Sequence, residues 1–466
     1  MDDEAPGSID NAVLTFRRRT ALAGGGLTAG LIALGVSRLR GSQQTIIRPE
    51  DIARAADGDD AAPMIQAAID RVAAAGGGTV RLTGGKTYPL RAIARGTDIS
   101  QPFYRASLAI PPRAANVTID LNGATLEQQS DAFTFGAAYR MFNDEAMQKM
   151  RQPLGYTPSR GDTSIRVRNP AAFPPGSRVM LVSGNIYPRE APPGRAKPYT
   201  PVAEMLTVTG ARSGEIMLDR AVQKDHSIAR GKDTGLIDIS QHHAQNIRLI
   251  GPGTVINRYR RAGAFRQIFG FTMDKVAYQG SGGFSIRGRD LAVTDCSARI
   301  IRGQNEGVQP YALAFDTGSN DIRVERFTAI GEPFCYIHLH EGLSNVLLSD
   351  IEIENAWQPD PNWVKVAAIS IMGLSWNVDL ENITVVNNPQ GVGIGARESA
   401  GMNGGNFGLT MHDITLRGRF KNPALQIDDR IPAHVSGLDI SGVELSRGQQ
   451  PIRLIGARHQ IIGLHA

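Results

Sequence analysis

The sequence contains few of the residues that cross-link small domains or bind metal ions. Its 466 residues include two cysteines, Cys296 and Cys335, which excludes a disulfide framework and paired CxxC metal ligands. The apolar run near the N-terminus, of about sixteen residues, is shorter than a membrane span. We therefore predict that both cysteines are inert structural thiols.

The rest of the composition is that of a large folded protein. Hydrophobic residues make up 41% of the chain and charged residues 20%, which is enough to build a sizeable core. The chain also has 52 glycines, which indicates many tight turns.

The N-terminal segment is typical of an export leader. "FRRRTALAGGGLTAGLIALGV" joins three arginines to a glycine-rich apolar run. Arg18 and Arg19 resemble the pair of a bacterial twin-arginine signal, although Arg17 stands where Ser or Thr is usual. We predict that residues 1–40 direct the protein to the periplasm or the medium. If the leader is not cleaved, it would instead anchor the protein to the inner membrane.

Positive charge predominates after the leader. Beyond residue 36 there are 47 basic and 41 acidic side chains, and "NRYRRAGAFR" concentrates Arg258, Arg260, Arg261 and Arg266. Such a cluster suits an acidic partner, and outside the cytoplasm that partner would not be nucleic acid. A solvated basic surface without a partner is the alternative.

Internal repetition indicates the fold. Similar amphipathic strands recur along the chain at intervals of 23 to 47 residues, when the first strand is counted from Ile237. The first residues of these strands are "LIDIS" at 236, "FSIRG" at 284, "LAFDT" at 313, "IHLHE" at 337, "ISIMG" at 369, "VGIGA" at 392, "LQIDD" at 425 and "IRLIG" at 452. A strand that recurs once per turn buries its inward side chains only if successive turns stack. The pattern predicts a parallel solenoid, with Cys296 on an inward position.

Three segments resemble the pectin-lyase-like superfamily of right-handed parallel β-helices. They are "DGDDAAPMIQAAIDRVAAAGGGTVRLTGGKTYPL" from Asp57, "NVTIDLNGATLEQ" at 116 and "NIRLIGPGTVIN" at 246. The resemblance implies an all-β protein: a right-handed parallel β-helix over residues 41–466. The predicted capping helix spans about residues 60–75, with Asp60 as its N-cap.

The resemblance also implies a small β-barrel-like insertion at about residues 158–224, with regular coils over about 236–466. Members of this superfamily include pectate and alginate lyases, polygalacturonases, uronan epimerases and phage tailspike depolymerases. The succession NTD, DD and GHG that polygalacturonases show does not occur in this sequence, and neither does the DPHD motif of alginate epimerases. The resemblance therefore implies the fold more specifically than the reaction.

The stretch "CYIHLHEG" supplies the candidate site. Alternation along a strand places Ile337 and Leu339 on one face, and His338 and His340 on the other. Stacking the coils predicts two outward columns: Ser285, Ala314, His338, Ser370, Gly393, Gln426 and Arg453, and beside them Arg287, Asp316, His340, Met372, Gly395, Asp428 and Ile455. With coils about 4.8 Å apart, Asp316 lies one rung from His340, and Arg287 about 10 Å from it.

These residue types suit β-elimination from a uronate. We predict that His340 is the general base, that Asp316 orients it and that Arg287 binds the substrate carboxylate. A glycoside hydrolase is the alternative reaction, using Asp428 with Asp429, or Asp316 with Glu332 or Glu341. Alternatively, the polar residues simply face water, and the protein is a non-catalytic glycan-binding or envelope protein.

Further residues are predicted to bind substrate: His338, Trp357, Trp363, Lys365, Arg397 and Asp428. Indole rings stack on sugar faces, although burial against the solenoid wall is the alternative for both tryptophans. The expected partner is an acidic polysaccharide. No cofactor is evident, and calcium is compatible with the fold but indicated by no motif.

Overall fold

A computed structural model describes most of the chain after the predicted leader. Two compact units divide at residue 45, and nearly all of the first, including the leader, lies outside the described residues. The described residues are 45–53, 59–94, 105–137, 150–184, 202–228, 234–301, 311–331, 335–355, 367–389, 391–397, 406–421, 423–429, 432–445 and 448–466. Within these ranges, no helix is long and apolar enough to cross a membrane.

The second unit is built almost entirely of strands. In its first half these are β1 (Ile46–Ile47), β2 (Gly78–Arg81), β3 (Thr87–Leu90), β4 (Ala106–Ile110), β5 (Val117–Asp120), β6 (Thr125–Gln128), β7 (Phe133–Ala137), β8 (Gln152–Pro153), β9 (Ser164–Arg166), β10 (Arg178–Ser183), β11 (Val202–Arg212), β12 (Glu215–Leu218) and β13 (Thr234–Asp238).

The second half continues with β14 (Ala244–Thr294), β15 (Ser297–Ile300), β16 (Tyr311–Phe315), β17 (Asn320–Gly331), β18 (Cys335–Leu339), β19 (Ser344–Asn355), β20 (Ile369–Met372), β21 (Trp376–Asn388), β22 (Ile394–Arg397), β23 (Phe407–Phe420), β24 (Leu425–Asp429), β25 (His434–Asp439), β26 (Val443–Leu445), β27 (Ile452–Gly456) and β28 (Gln460–His465).

Parallel pairing between successive coils arranges these strands in three ladders. The first ladder joins β2 and β5 to parts of β14, β17, β19, β21 and β23, and then to β25 and β28. The second joins β3, β6 and β15 to other parts of the long strands and ends at β26. The third runs through β4, β7, β14, β16, β18, β20, β22, β24 and β27. The protein is a parallel β-helix, as predicted.

The interior of the helix is a continuous apolar core. Phe315, Leu339, Ile371 and Ile427 come from four coils of the third ladder, and all are fully buried in one cluster, which confirms that Leu339 lies on the inward face, opposite to the predicted outward columns. Cys296 lies in the same cluster, and burial raises the pKa of its thiol to about 12. Such a thiol stays protonated, as expected for a structural cysteine.

The corner between the third and first ladders is a column of Asn and Asp residues. Asp321, Asn345 and Asn377 have φ values of 54°, 53° and 53°, a left-handed conformation that Asn and Asp tolerate better than most residues. Asn345 Nδ2 donates to Asp321 Oδ1 at 2.8 Å, and Asn377 Nδ2 donates to Asn345 Oδ1 at 2.9 Å. This column fixes the coils next to the corner where the candidate site lies.

A single described α-helix, α1 (Ala62–Ala74), covers the first coils. Its buried stripe includes Ile65 and Ile69, which pack into the main core. The Asp60 carboxylate accepts a hydrogen bond from the Ala62 amide at 3.1 Å and another from the Ala92 amide at 2.8 Å. The N-cap residue is Ala61, without a side-chain capping bond, so the prediction of Asp60 as the N-cap is wrong by one residue. Asp60 instead ties the first helical residue to the chain after β3.

The insertion is longer than the sequence analysis predicts. Six antiparallel strands, β8 to β13, form a sheet of their own that extends to Asp238. The segment starting at Leu236, predicted to be the first regular coil, instead pairs antiparallel with β10, where Leu236 lies opposite Leu181. An alternating pattern fits either pairing direction, so the alternation in β13 could not distinguish them.

One coil of the predicted columns is displaced by two residues. Ser370 pairs with Gly395 rather than Gly393, and Met372 pairs with Arg397. A shift of two residues keeps every side chain on its predicted face, so the apolar pattern does not reveal it. The correction places Arg397 in the column of Asp316 and His340.

Candidate active site

Two adjacent coils place a carboxylate beside an imidazole on the outside of the third ladder. Asp316 and His340 are the first residues after β16 and β18, whose register pairs Phe315 with Leu339. His340 Nε2 lies 3.4 Å from Asp316 Oδ1. The structure therefore brings together Asp316 and His340, and the pairing of Ile286 with Phe315 places Arg287 in the same column on the preceding coil, as predicted.

The Asp316 carboxylate is held by two further groups from the preceding part of the chain. Ser285 Oγ donates to Asp316 Oδ2 at 2.8 Å, and Arg266 Nη1 forms an ion pair with the same oxygen. Asp316 Oδ1 is thus the oxygen that faces His340. Because Asp316 and Ser285 are both buried, this arrangement fixes the carboxylate in one orientation.

His340 is the more exposed member of the pair, with 30% of its side chain accessible. Its Nδ1 lies 3.8 Å from Glu341 Oε2. Burial lowers the pKa of His340, Glu341 opposes this shift, and the positive charges of Arg266 and Arg261 reinforce it. The imidazole is therefore neutral at neutral pH, which is the state that a general base requires.

His338 lies on the outer face of its strand, as predicted, but it is covered by other side chains and does not face solvent. Only 6% of the residue is exposed, because the Tyr311 ring stacks on its imidazole with centroids 4.8 Å apart and planes inclined by 8°. The His338 and His340 rings meet edge to face at 4.1 Å. His338 thus acts as a packed wall of the site, and its predicted contact with substrate would need this stack to open.

The arginines divide into buried and accessible groups. Arg287, predicted to bind the substrate carboxylate, is only 3% exposed. Arg266 is also buried and pairs with Asp316. Arg261 is half-buried, and its guanidinium carbon lies 5.0 Å above the Tyr311 ring. Arg261 is therefore better placed than Arg287 to meet a carboxylate arriving from solvent.

The other predicted binding residues are not brought to this cluster. Asp428 lies in the same column as His340 but three coils away, about 14 Å at the usual strand spacing. Asp429, its proposed partner in a hydrolase, is buried and accepts two hydrogen bonds from Asn406. The backbone of Arg397 belongs to β22, and its side chain lies outside the described residues, as do Trp357, Trp363, Lys365 and Glu332.

Three residues around His340 were not predicted to belong to the site. Arg261 and Arg266 were predicted only as part of a basic cluster, and Tyr311 was not predicted at all. Arg261 and Arg266 belong to the basic cluster "NRYRRAGAFR", whose crowding of arginines was the available signal. Arg260 of the same cluster instead pairs with Asp131, with Arg260 Nε and Asp131 Oδ1 2.5 Å apart. Tyr311 carried no signal, because strict alternation from Leu313 and Phe315 would turn it inward.

A groove of about 660 Å³ lies on a different face, along the outside of the second ladder. Its lining includes Thr328, Glu352 and Thr384, which are aligned on successive coils. We place the candidate active site on the third ladder because the contacts among titratable groups converge there. In the described part of the chain, no group of three or more His, Cys, Asp or Glu residues is arranged to hold a metal ion.

No protein-family model and no curated protein matches the chain. Among solved structures it is similar to the tailspike protein gp49 of Pseudomonas phage LKA1, with 9% identity, 90% of this chain and 81% of that chain covered, and a TM-score of 0.46. A mutant tailspike of E. coli bacteriophage HK620 in complex with pentasaccharide shares 11% identity, with 91% and 69% covered and a TM-score of 0.45. The Azotobacter vinelandii mannuronan C-5 epimerase AlgE6 A-module shares 14% identity, with 90% and 98% covered and a TM-score of 0.39. The fold assignment rests on the strand registers themselves.

Proposed function

We propose that the protein is a polysaccharide lyase that cleaves a uronate-containing polymer by β-elimination, with His340 as the base. The observation that carries this proposal is the partly exposed imidazole of His340, 3.4 Å from the fixed carboxylate of Asp316. Its lowered pKa makes it a base at neutral pH.

The proposed reaction uses the charges around this imidazole. His340 takes the proton next to the uronate carboxylate, the bond from the neighbouring ring carbon to the departing sugar oxygen breaks, and a carbon–carbon double bond forms. The departing oxygen takes up a proton from solvent. Negative charge develops on the substrate carboxylate, and Arg261, at the accessible edge of the cluster, stabilises it.

Product chemistry tests this proposal. The purified protein would be incubated with a panel of acidic polysaccharides, and ultraviolet absorbance and reducing ends would be measured together. A lyase produces both signals in equal amounts, because each cleavage creates one unsaturated end and one reducing end. Reducing ends without absorbance would overturn the lyase proposal.

Reducing ends without absorbance are the result expected of a glycoside hydrolase, which is the alternative function. The positions of two carboxylates favour this alternative. Asp316 and Glu341 flank the same imidazole, with ion-pair distances to it of 3.4 Å and 3.8 Å. Two carboxyl groups on either side of a bound sugar are what hydrolysis requires. Retention on a polymer without either signal would instead identify a non-catalytic glycan-binding protein.

We further propose that the protein acts in the periplasm or outside the cell, after export through the twin-arginine route. The motif of Arg18 and Arg19 supports this proposal. Replacing both arginines by lysine is expected to leave the protein in the cytoplasm, as measured by cell fractionation. Normal export of this variant would contradict the assignment and indicate another type of leader.

A further inference from the structure

We propose that Lys224, a buried residue of the insertion between β12 and β13, is a positioning residue for the candidate active site. Its ammonium group fixes the two turns that carry Asp316 and His340 on adjacent coils. The catalytic consequence rests on the function proposed above, whereas the effect on the turns does not.

The contacts of Lys224 span two structural parts. Nζ donates to the carbonyl oxygen of Ala203 at 2.6 Å, within the insertion. It also donates to the carbonyl oxygens of Gly342 at 2.7 Å and Ser319 at 3.3 Å, in two turns of the β-helix. Three N–H groups thus meet three carbonyl oxygens, which satisfies an ammonium group that is completely buried.

Both β-helix acceptors belong to the turns that follow the site residues. The Ser319 amide and hydroxyl donate to the Asp316 carbonyl at 3.1 Å and 2.7 Å, which closes the turn that begins with Asp316. Gly342 comes two residues after His340 and directly follows Glu341. One ammonium group therefore bridges the two coils at the point where their side chains form the site.

The preceding residue strengthens this bridge. Gln223 Oε1 accepts hydrogen bonds from Asn320 Nδ2 at 3.3 Å and Ser344 Oγ at 3.2 Å. Asn320 and Ser344 are register partners on the same two coils, and Asn320 Nδ2 also donates to Ser344 Oγ at 3.1 Å. Gln223 and Lys224 together form a two-residue clamp across adjacent turns.

The charged groups around Lys224 make the clamp sensitive to pH. Burial lowers the pKa of Lys224 to about 8, while the negative charges of Glu204 and Asp321 oppose this shift. Glu204 accepts hydrogen bonds from the Lys224 amide at 3.3 Å and from His226 Nε2 at 2.9 Å. As pH rises through about 8, Lys224 loses its charge and one of its three donors, so the clamp weakens.

Hydrogen–deuterium exchange of the full-length protein tests the clamp without any substrate. After correction for intrinsic exchange rates, peptides covering residues 316–320 and 340–344 are expected to lose about tenfold or more of their protection between pH 7 and pH 9. Lys224→Met is expected to show the weakened protection already at pH 7, with no further step. Lys421→Met, which removes an exposed lysine, should behave like the unmodified protein.

Two results would overturn the inference. The first is unchanged protection of these turns up to pH 9 in the unmodified protein, which decides the question even if Lys224→Met fails to fold. The second is an identical pH step in folded Lys224→Met, which would assign the step to another group such as His226.

If a cleavable polysaccharide is found, the clamp also predicts a loss of turnover above pH 8 with little change in KM. A lack of any cleaved substrate would contradict the proposed function alone, since the exchange measurement would still decide the role of Lys224.

Discussion

At the scale of single residues, the candidate site depends on how three charged groups act on one imidazole. Glu341 raises the pKa of His340, whereas burial, Arg266 and Arg261 lower it. Asp316 is the carboxylate proposed to orient the ring, but its Oδ2 is already occupied by Ser285 and Arg266. Glu341 is thus the carboxylate that raises the pKa of the proposed base, whereas the sequence suggested it only as a candidate acid of a hydrolase.

Glu341→Gln is therefore expected to lower the pKa of His340 further. The acidic limb of the profile of kcat/KM against pH, where activity rises as His340 loses its proton, should move to lower pH. Glu352→Gln, at an exposed position on the second ladder, is the matched control and should leave the limb in place. A limb that moves to higher pH in Glu341→Gln would contradict the assigned charges.

The accessible Arg261 and the buried Arg287 should respond differently to replacement by lysine. Arg261→Lys keeps the charge but loses the two-pronged contact with a carboxylate, so KM should rise about tenfold with a smaller change in kcat. Arg287→Lys, inside the wall, should instead lower stability, as measured by thermal unfolding. The reverse pattern would restore Arg287 as the group that binds the substrate carboxylate.

The sequence predicted the adjacency of Asp316 and His340 but not the packing around them. The adjacency follows from strand register, which the repeated apolar pattern specifies. The alternation does not predict the orientation of Tyr311, because the consecutive residues Ala312 and Leu313 both pack into the core. That departure from alternation turns Tyr311 outward onto His338, and only coordinates reveal it.

At the scale of a strand, the two faces of β18 should contribute unequally to stability. Leu339→Ala removes a fully buried side chain from the core and should lower the free energy of unfolding by about 2 to 5 kcal/mol. His338→Ala removes a ring stacked on Tyr311, a contact that contributes about 0.5 to 1.5 kcal/mol beyond the burial of the ring, and because the imidazole is polar and its burial contributes less, the total loss should be smaller than for Leu339→Ala. Urea denaturation followed by circular dichroism measures both. A larger loss of unfolding free energy for His338→Ala would mean that the face of β18 bearing His338, rather than Leu339, packs into the core.

Strand faces were easier to predict than strand partners. Parity alone places Leu339 inside, whereas the pairing of Ser370 with Gly395 and the antiparallel partner of β13 depend on loop lengths and on contacts with distant strands. The corner column of Asp321, Asn345 and Asn377 is a signal that could have corrected some registers, because each marks the start of a first-ladder strand.

At the scale of the whole molecule, a parallel β-helix provides a rigid wall and the insertion braces the site built on it. The coils set the spacing between Asp316 and His340, and the carbonyl contacts of Lys224 join the insertion to both turns. The insertion was predicted from the resemblance to a known superfamily. Its mechanical link to the site follows from one buried lysine, for which the sequence offers no pattern.

The central claim is that His340 is the base of a polysaccharide lyase, and turnover of a substrate found in the polysaccharide panel tests it most directly. Initial rates would be followed by ultraviolet absorbance for the unmodified protein, for His340→Ala and for the control His412→Ala, whose imidazole lies on the first ladder. Because a general base contributes about 100- to 10,000-fold, His340→Ala should lose turnover on that scale while binding and the circular dichroism spectrum persist. Full turnover by a folded His340→Ala protein would contradict the account.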